Sequence, residues 1–187
     1  FALRRLARAI AGHGRRSFVE SVDLTNGASV QVAVRQIARQ LGGELRAVVI
    51  AADVPQDRPS ERLNDADYSR IVNGNLGAVF FACRAAWREM QDLAPDEQAV
   101  RGRILTLLPA WSEEGQQPRA LYTAARVGVQ ALIRSLAAEW RAGAVALNGI
   151  VVPSGASQAE AADAVAATAL RLLTTSLSGE IVVARRE

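Results

Sequence analysis

Lysine, cysteine and histidine, which often supply nucleophiles, bases or metal ligands, are absent or nearly absent from this chain of 187 residues. All 22 basic residues are arginine, and the lack of lysine excludes Schiff-base chemistry, a pyridoxal phosphate anchor and a P-loop lysine. A single cysteine, Cys83, and a single histidine, His13, exclude a disulfide framework and a Cys/His zinc site, so we predict no metal centre. A Ser-His-Asp hydrolase would need His13, whose place between two glycines is typical of an exposed helix end.

The charge of the chain is spread out rather than concentrated. The formal net charge is +3, with 19 acidic residues interleaved among the arginines, although the sequence pI is about 9.9. The pI is high because arginine does not titrate below about pH 12. Basic residues cluster only at Arg4, Arg5, Arg8, Arg15 and Arg16, without interleaved aromatic residues. Nucleic acid is therefore not the expected partner, and a nucleic-acid-binding or regulatory role is kept as an alternative.

Two further features of the composition bear on where the protein is found. The use of a single cysteine fits a reducing cytoplasm. No apolar run approaches the roughly 18 residues that a transmembrane helix needs. We therefore expect a cytoplasmic protein that does not bind a membrane.

Helical patterns alternate with apolar strands along the chain. Helices are predicted over 1–12, 27–41, 65–92, 120–142 and 159–175, and strands over 17–22, 46–52, 103–109, 145–152 and 180–184. Thr25 or Asn26 can cap the helix over 27–41. Alternation at these lengths implies parallel crossovers. We therefore predict an α/β fold, as one domain over residues 1–187 with a doubly wound, mostly parallel sheet.

The opening of the chain departs from this pattern. It starts on a helix, and no Gly-x-Gly-x-x-Gly element follows a first strand. Because the first strand of a doubly wound sheet is central, the strand predicted over 17–22 would lack a neighbour. We therefore expect a strand–helix–strand unit before Phe1, which would make the intact polypeptide heavier than 19.9 kDa.

Five fragments of the sequence occur in an order shared with one enzyme family. They are GRILTLLPAW and LYTAARVGVQALIRSLAAEW within 102–140, GNLGAVFFACRAA over 74–86, ALNGIVVP over 146–153 and SGEIVVA over 178–184. Their order and spacing resemble the short-chain dehydrogenase/reductase family, in which a strand and a loop precede Tyr-x-x-x-Lys at a helix start. The resemblance runs from residue 1 to residue 187. It implies a Rossmann-like sheet that lacks its N-terminal strand–helix–strand portion.

The resemblance implies hydride transfer between a nicotinamide cofactor and a carbonyl or carbinol carbon. Tyr122 falls at the position of the catalytic tyrosine, and Asn75 at that of an asparagine supporting a proton-relaying water. Arg126 stands where the family has a lysine that lowers the tyrosine pKa and binds the nicotinamide ribose. Arginine retains the positive charge, and with it the ability to depress that pKa, but not the compact ammonium geometry. Pro109 stands at the serine position, thirteen residues before Tyr122, and Ser112 is the nearby candidate to replace it.

The positions that would contact the cofactor are also altered. The family's Asn-Asn-Ala-Gly maps to residues 50–53, Ile-Ala-Ala-Asp, so both amides are lost and a carboxylate lies close to the expected nucleotide. Asp23 matches an aspartate that contacts adenine, and Pro153 matches a proline that closes over the nicotinamide. The predicted cofactor-contacting residues are therefore Asp23, Ala51, Ala52 and Pro153, for NAD or NADP if either binds.

These changes favour a catalytically degenerate short-chain dehydrogenase/reductase-like protein that supports an NAD(P)-dependent oxidoreductase as a structural subunit. The alternative is an active NAD(P)(H)-dependent alcohol dehydrogenase or ketoreductase that uses Tyr122 and Arg126 on a small carbonyl or alcohol substrate. The resemblance also implies a homo- or hetero-oligomer through helices 65–92 and 120–142, whose alanine-rich faces permit close packing.

Overall fold

Four parallel strands form the centre of the structure. The computed structural model describes residues 2–109, 119–153 and 158–185. The strands are β1 (Ala47–Ile50), β2 (Gly102–Pro109), β3 (Val145–Val152) and β4 (Ile181–Val183), and they pair in that order. Every pair is parallel, with Val48 opposite Ile104 and Ile104 opposite Leu147. The predicted α/β fold with a parallel sheet is confirmed.

Helices connect the strands as the alternating pattern predicts. They are α1 (Ala2–Gly12), α2 (Gly27–Leu41), α3 (Asp65–Val72), α4 (Ala78–Met90), α5 (Ala120–Glu139) and α6 (Gln158–Leu173), with 3₁₀ turns at Ser60–Arg62 and Arg141–Gly143. Asn26 caps α2, because its side chain accepts hydrogen bonds from the N–H groups of Ala28 and Ser29. Within the ranges that the structure describes, no helix is long and apolar enough to cross a bilayer.

Helices pack on both faces of the sheet. Ile104 and Leu108 of β2 belong to the larger core cluster, which they form with α2, α4 and α5. Leu105 and Ile150 belong to a smaller cluster that includes residues of α6. Successive residues of a strand point to opposite faces, so Ile104 and Leu105 belong to different layers. The central strands β2 and β3 are therefore buried on both sides, as their continuous apolar runs indicate.

Residues 17–22 do not form the predicted strand. A strand needs a neighbour that completes its ladder of backbone hydrogen bonds. Among the described residues, β1 pairs only with β2, and no strand pairs with 17–22. Phe18 and Val19 are exposed. Their residue types suit a strand, but without a partner strand that preference is not enough.

The long helix predicted over 65–92 contains a π-helical turn in its middle. After α3 ends at Val72, residues Asn73–Gly77 form a π-helical turn, and α4 then runs to Met90. A π turn takes an extra residue into one helical turn, which displaces the following helix and is frequent at functional sites. The turn contains the buried Asn75. The predicted helix is therefore present from Asp65 to Met90, with a π-helical turn that the sequence does not predict.

The remaining boundaries differ from the predictions by a few residues. β1 is shorter than the predicted 46–52 and β4 is shorter than 180–184. α5 ends before the predicted residue 142, because a 3₁₀ turn follows it at Arg141–Gly143. α6 ends before the predicted residue 175. Differences of this size are normal where the last turn of a helix frays or tightens.

Candidate active site at the ends of β1 and β2

The three segments that carry the predicted catalytic residues meet at the carboxyl end of β1. This edge of a parallel sheet is where ligands of α/β proteins bind. Arg126 bonds to Ala52, Tyr122 to Asp53 and Asn75 to Val54. The structure therefore brings together Tyr122, Arg126 and Asn75, and three consecutive residues after β1 receive their side chains.

Tyr122 lies in the first turn of α5. Its hydroxyl donates a hydrogen bond to Oδ1 of Asp53 at 2.8 Å. The Asp53 side chain is 44% exposed, so this pair lies at the surface end of the site. A phenol that donates its proton to a carboxylate does not present that proton to another acceptor. The arrangement holds Tyr122 in its neutral form.

Electrostatics at Tyr122 oppose its ionisation. Burial, the hydrogen bond to Asp53 and the negative charge of Asp53 raise the pKa of Tyr122 to about 12. The positive charge of Arg126 lowers this pKa, but its effect is smaller than the effects of burial and Asp53. Arg126 thus has the expected effect on the pKa of Tyr122, but burial and the neighbouring carboxylate of Asp53 outweigh it.

Arg126 lies one helical turn after Tyr122 and is buried, with its side chain 7% exposed. Its Nη1 donates to the carbonyl of Ala52 at 3.0 Å, and its Nη2 donates to the carbonyl of Leu107 at 3.3 Å. The guanidinium therefore joins the end of β1 to the end of β2. Nη1 is also 3.8 Å from Oδ1 of Asp53, a long ion pair. Burial lowers the pKa of Arg126, whereas the nearby Tyr122 and Asp53 raise it.

Asn75 is fully buried in the π-helical turn. Its Oδ1 accepts the N–H of Val54 at 3.1 Å, and its Nδ2 donates to the carbonyls of Val54 and Ile71, both at 2.8 Å. The side chain thus replaces a strand neighbour for Val54. Gly74 permits this approach, since a Cβ at that position would lie 2.5 Å from Cγ2 of Val54. Asn75 therefore fixes the segment after β1. In the part of the chain that the structure describes, no hydrogen bond joins Asn75 to Tyr122.

The predicted cofactor-contacting residues lie on three segments of the chain: before α2, after β1 and after β3. Asp23 accepts hydrogen bonds from the hydroxyl and the N–H of Thr25, which lower the pKa of its carboxyl and close a turn before α2. Its side chain lines a cleft of about 440 Å³ between residues 20–23 and α2. Ala51 is exposed, and the carbonyl of the buried Ala52 is occupied by Arg126. Pro153 is half-buried directly after β3.

The position of the expected serine holds a residue without a donor. Pro109 is exposed at the end of β2 and has neither a side-chain hydroxyl nor a backbone N–H. Ser112, the candidate to replace the serine, lies outside the described residues. In the described parts of the chain, no group of three His, Cys, Asp or Glu side chains could hold a metal ion.

Two residues of the site were not recognised from the sequence in the roles they have. The resemblance places the charge of Asp53 near the expected nucleotide but does not identify Asp53 as the partner of Tyr122. Its place directly after a buried strand was the available signal. Gln56, which accepts the N–H of Tyr122 at 3.1 Å, was missed altogether. A single glutamine in a loop carries no signal that predicts such a contact.

Residues 2–170 match a family model described as short chain dehydrogenase. The chain is 27% identical over 143 residues to the acetoacetyl-CoA reductase of Allochromatium vinosum, covering 76% of this chain and 55% of that protein. It is 29% identical over 131 residues to the 3-oxoacyl-(acyl-carrier-protein) reductase of Escherichia coli, covering 70% of this chain and 49% of that protein. The chain therefore spans about half the length of these relatives.

Solved structures share the fold over almost the whole chain. A short chain dehydrogenase from Mycobacterium smegmatis has a TM-score of 0.83 at 25% identity, covering 99% of this chain and 77% of the other. A short-chain type dehydrogenase/reductase from Mycobacterium marinum has a TM-score of 0.79 at 22% identity, covering 97% and 78%. Similarity to the second structure at this identity shows the fold alone.

Proposed function

The chain belongs to the short-chain dehydrogenase/reductase family, and we propose that it is a catalytically degenerate member supporting an NAD(P)-dependent oxidoreductase as a subunit. The observation that carries the proposal is the 2.8 Å hydrogen bond from the Tyr122 hydroxyl to Asp53. It occupies the one group that the family resemblance assigns to proton transfer. The fold and the oligomer surface would be retained while the chemistry is lost.

An acid–base catalyst works best when its pKa lies near the pH at which it operates. The pKa of Tyr122 is raised to about 12, above the ordinary tyrosine value of 10. As a base, Tyr122 would be almost wholly protonated at neutral pH. As an acid, it would have to release Asp53 before its proton could reach a substrate oxygen. Proton transfer by Tyr122 is therefore disfavoured both in the oxidation and in the reduction of a substrate.

Arg126 supports the same proposal. A side chain that binds two ribose hydroxyls must direct free donors at them, whereas Arg126 uses Nη1 and Nη2 for Ala52 and Leu107, and its unpartnered Nε is buried. Moving it away would leave two carbonyl groups without their partner, at a cost of about 1–3 kcal/mol for each buried one. Arg126 is better described as a structural link between β1 and β2. In an active oxidoreductase, Arg126 would have to link the two strands and also bind the nicotinamide ribose.

The charge at this edge of the sheet weighs against a nicotinamide nucleotide. The carboxylate of Asp53 is 44% exposed directly after β1, near the place that the resemblance gives to the nucleotide. The pyrophosphate of NAD or NADP is anionic and is repelled by a carboxylate close to it. Among the described residues of the site, the positive charge of Arg126 is already directed at backbone carbonyls. We therefore expect weak binding or none.

A supporting subunit needs a partner surface, and α3 and α5 offer one. Tyr68 on α3 is 56% exposed and Val127 on α5 is 45% exposed, although both are large hydrophobic residues. Exposed hydrophobic residues on neighbouring elements mark interaction sites when they form a patch. We place the oligomer contact within 65–92 and 120–142, with a second copy or an active relative as partner. The use of a single cysteine, Cys83, is in keeping with a cytoplasmic location.

The proposal is tested by titrating the protein with NADH and NADPH and following nucleotide fluorescence. We expect no binding at micromolar concentrations and no oxidation of either nucleotide with small ketone or 3-oxoacyl substrates. Micromolar binding together with turnover that Tyr122→Phe abolishes would overturn the proposal in favour of an active ketoreductase. A matched titration of the Asp53→Asn variant shows how far the carboxylate itself prevents binding, because its charge is removed with little change in size.

A further inference from the structure

α5 begins without a cap of its own. Its N-cap residue, Arg119, makes no side-chain hydrogen bond to the first turn. The first N–H groups of a helix have no partner within the helix and need an acceptor from elsewhere. In α2 and α3 the side chains of Asn26 and Asn64 fill this role. The first turn of α5, which carries Tyr122, takes its acceptor from another element.

That acceptor is Gln56, in the loop after β1. Its Oε1 accepts the N–H of Tyr122 at 3.1 Å. Its Nε2 donates to the carbonyl of Arg58 at 2.8 Å and lies 3.3 Å from the hydroxyl of Ser60. Gln56 is only 1% exposed. Because both ends of the amide have partners, its orientation is determined by the protein.

The loop that carries Gln56 is itself held against α3. Arg70 donates to the carbonyl of Pro55 at 3.3 Å and to the carboxylate of Asp57 at 3.2 Å. On the same side, Arg58 lies 3.4 Å from the carboxylate of Asp67. The loop is therefore a fixed support, and Gln56 joins this support to the helix that carries Tyr122.

We infer that Gln56 is a positioning residue for Tyr122. Gln56 holds the first turn of α5 in the position from which the Tyr122 hydroxyl reaches the carboxylate of Asp53. One loop thereby binds Tyr122 at two points, its N–H through Gln56 and its hydroxyl through Asp53. Supporting contacts of this kind fix the orientation of a functional side chain more precisely than its rotamer preference does. The inference rests on the Tyr122–Asp53 contact of the proposed function, but not on whether a nicotinamide nucleotide binds.

The test is the ionisation of Tyr122 in a Tyr68→Phe background, where Tyr122 is the one remaining tyrosine. Tyrosinate absorbance after a rapid pH jump reports the ionisation before the protein unfolds. Gln56→Met removes the acceptor at similar length, and Gln56→Asn withdraws it by one methylene. We expect both to lower the pKa of Tyr122 from about 12 toward 10.

The matched control is Asn26→Ala, which removes the cap of α2 instead. Asn26→Ala should reduce stability without changing the pKa of Tyr122. If a general loss of stability were enough to lower this pKa, Asn26→Ala would lower it as the Gln56 variants do. A raised pKa in the parent that Gln56→Met and Gln56→Asn leave unchanged overturns the inference alone, and the proposed function stands. A pKa near 10 in the parent shows that the Tyr122–Asp53 contact is absent, and then both fail.

Discussion

The hydroxyl of Tyr122 and the carboxylate of Asp53 are 69 positions apart in the sequence and 2.8 Å apart in the structure. The contact joins the first turn of α5 to the segment directly after β1. It converts the residue expected to transfer protons into a hydrogen-bond donor held within the protein. Two other expected catalytic residues, Arg126 and Asn75, bind the residues on either side of Asp53.

Removing the negative charge of Asp53 should release Tyr122. In a Tyr68→Phe background, Asp53→Asn should lower the pKa of Tyr122 from about 12 toward 10, because the carboxylate contributes both a hydrogen bond and a charge that raise it. Absorbance titration of tyrosinate measures the change. Asp57→Asn is the control, since Asp57 is on the same loop but pairs with Arg70. Equal effects of the two variants would contradict the account.

The pH dependence of stability follows from the same shift. The pKa of Tyr122 is about 12 in the folded protein and about 10 without its surroundings, so between these values the folded state keeps a proton that the unfolded state loses. This contribution to stability is fully present below pH 10 and is lost as the pH rises to 12. Urea midpoints should therefore fall more steeply in this window for the parent than for Tyr122→Phe. Identical pH profiles would contradict the prediction. Tyr68→Phe serves as the control for losing one phenol.

Asn75 should matter for stability more than its neighbours do. Asn75→Ala leaves the N–H and carbonyl of Val54 and the carbonyl of Ile71 without their partner. Each buried polar group left unsatisfied costs about 1–3 kcal/mol. We expect a loss of at least ~2 kcal/mol in the free energy of unfolding, measured by urea denaturation. Asn73→Ala, in the same π-helical turn, should cost much less, and equal losses would refute the role assigned to Asn75.

Arg126 should behave as a structural residue. Arg126→Met removes both hydrogen bonds to the ends of β1 and β2 and should destabilise the protein by about 1–3 kcal/mol or more. Arg126→Lys should be intermediate, because an ammonium can satisfy one carbonyl but lacks the planar fork that reaches both. The exposed Arg134 on the same helix offers the control Arg134→Met. A fully stable Arg126→Met protein would show that the link is dispensable.

The proposed oligomer contact predicts a mass above that of one chain. Light scattering of the 187-residue chain should give at least twice its mass of 19.9 kDa, and Val127→Arg should reduce the measured mass by placing a charge in an apolar contact. Leu170→Arg is the matched control, since Leu170 is also exposed but lies on α6. Equal effects of the two substitutions, or a parent of 19.9 kDa, would contradict self-association through α3 and α5.

The sequence predicts the architecture well because the signal is local. Continuous apolar runs mark strands that are buried on both faces, and they identify β1 to β4 within a few residues. Asn26, proposed with Thr25 as a cap, is the residue that caps α2. Residues 17–22 have a strand-like composition, but a strand also depends on a neighbour that composition does not reveal.

The site is predicted less well because its contacts join distant parts of the chain. The family resemblance places Tyr122, Arg126 and Asn75 in one region, and the structure does bring them around residues 52–54. It does not predict where each side chain directs its hydrogen bonds. Those directions depend on Asp53 at the end of β1 and on the π-helical turn. Gln56 depends on the path of a whole loop and leaves no pattern in the sequence.

The central claim is that Tyr122 is held by Asp53 and does not serve as an acid–base catalyst. The most direct measurement is the ionisation of Tyr122 in the Tyr68→Phe protein, followed by tyrosinate absorbance. The chain contains no lysine, so no ammonium group titrates in the same pH range and alters the local charge. The account predicts a pKa of about 12 for Tyr122. A pKa at or below 10 would contradict it and would favour an active oxidoreductase.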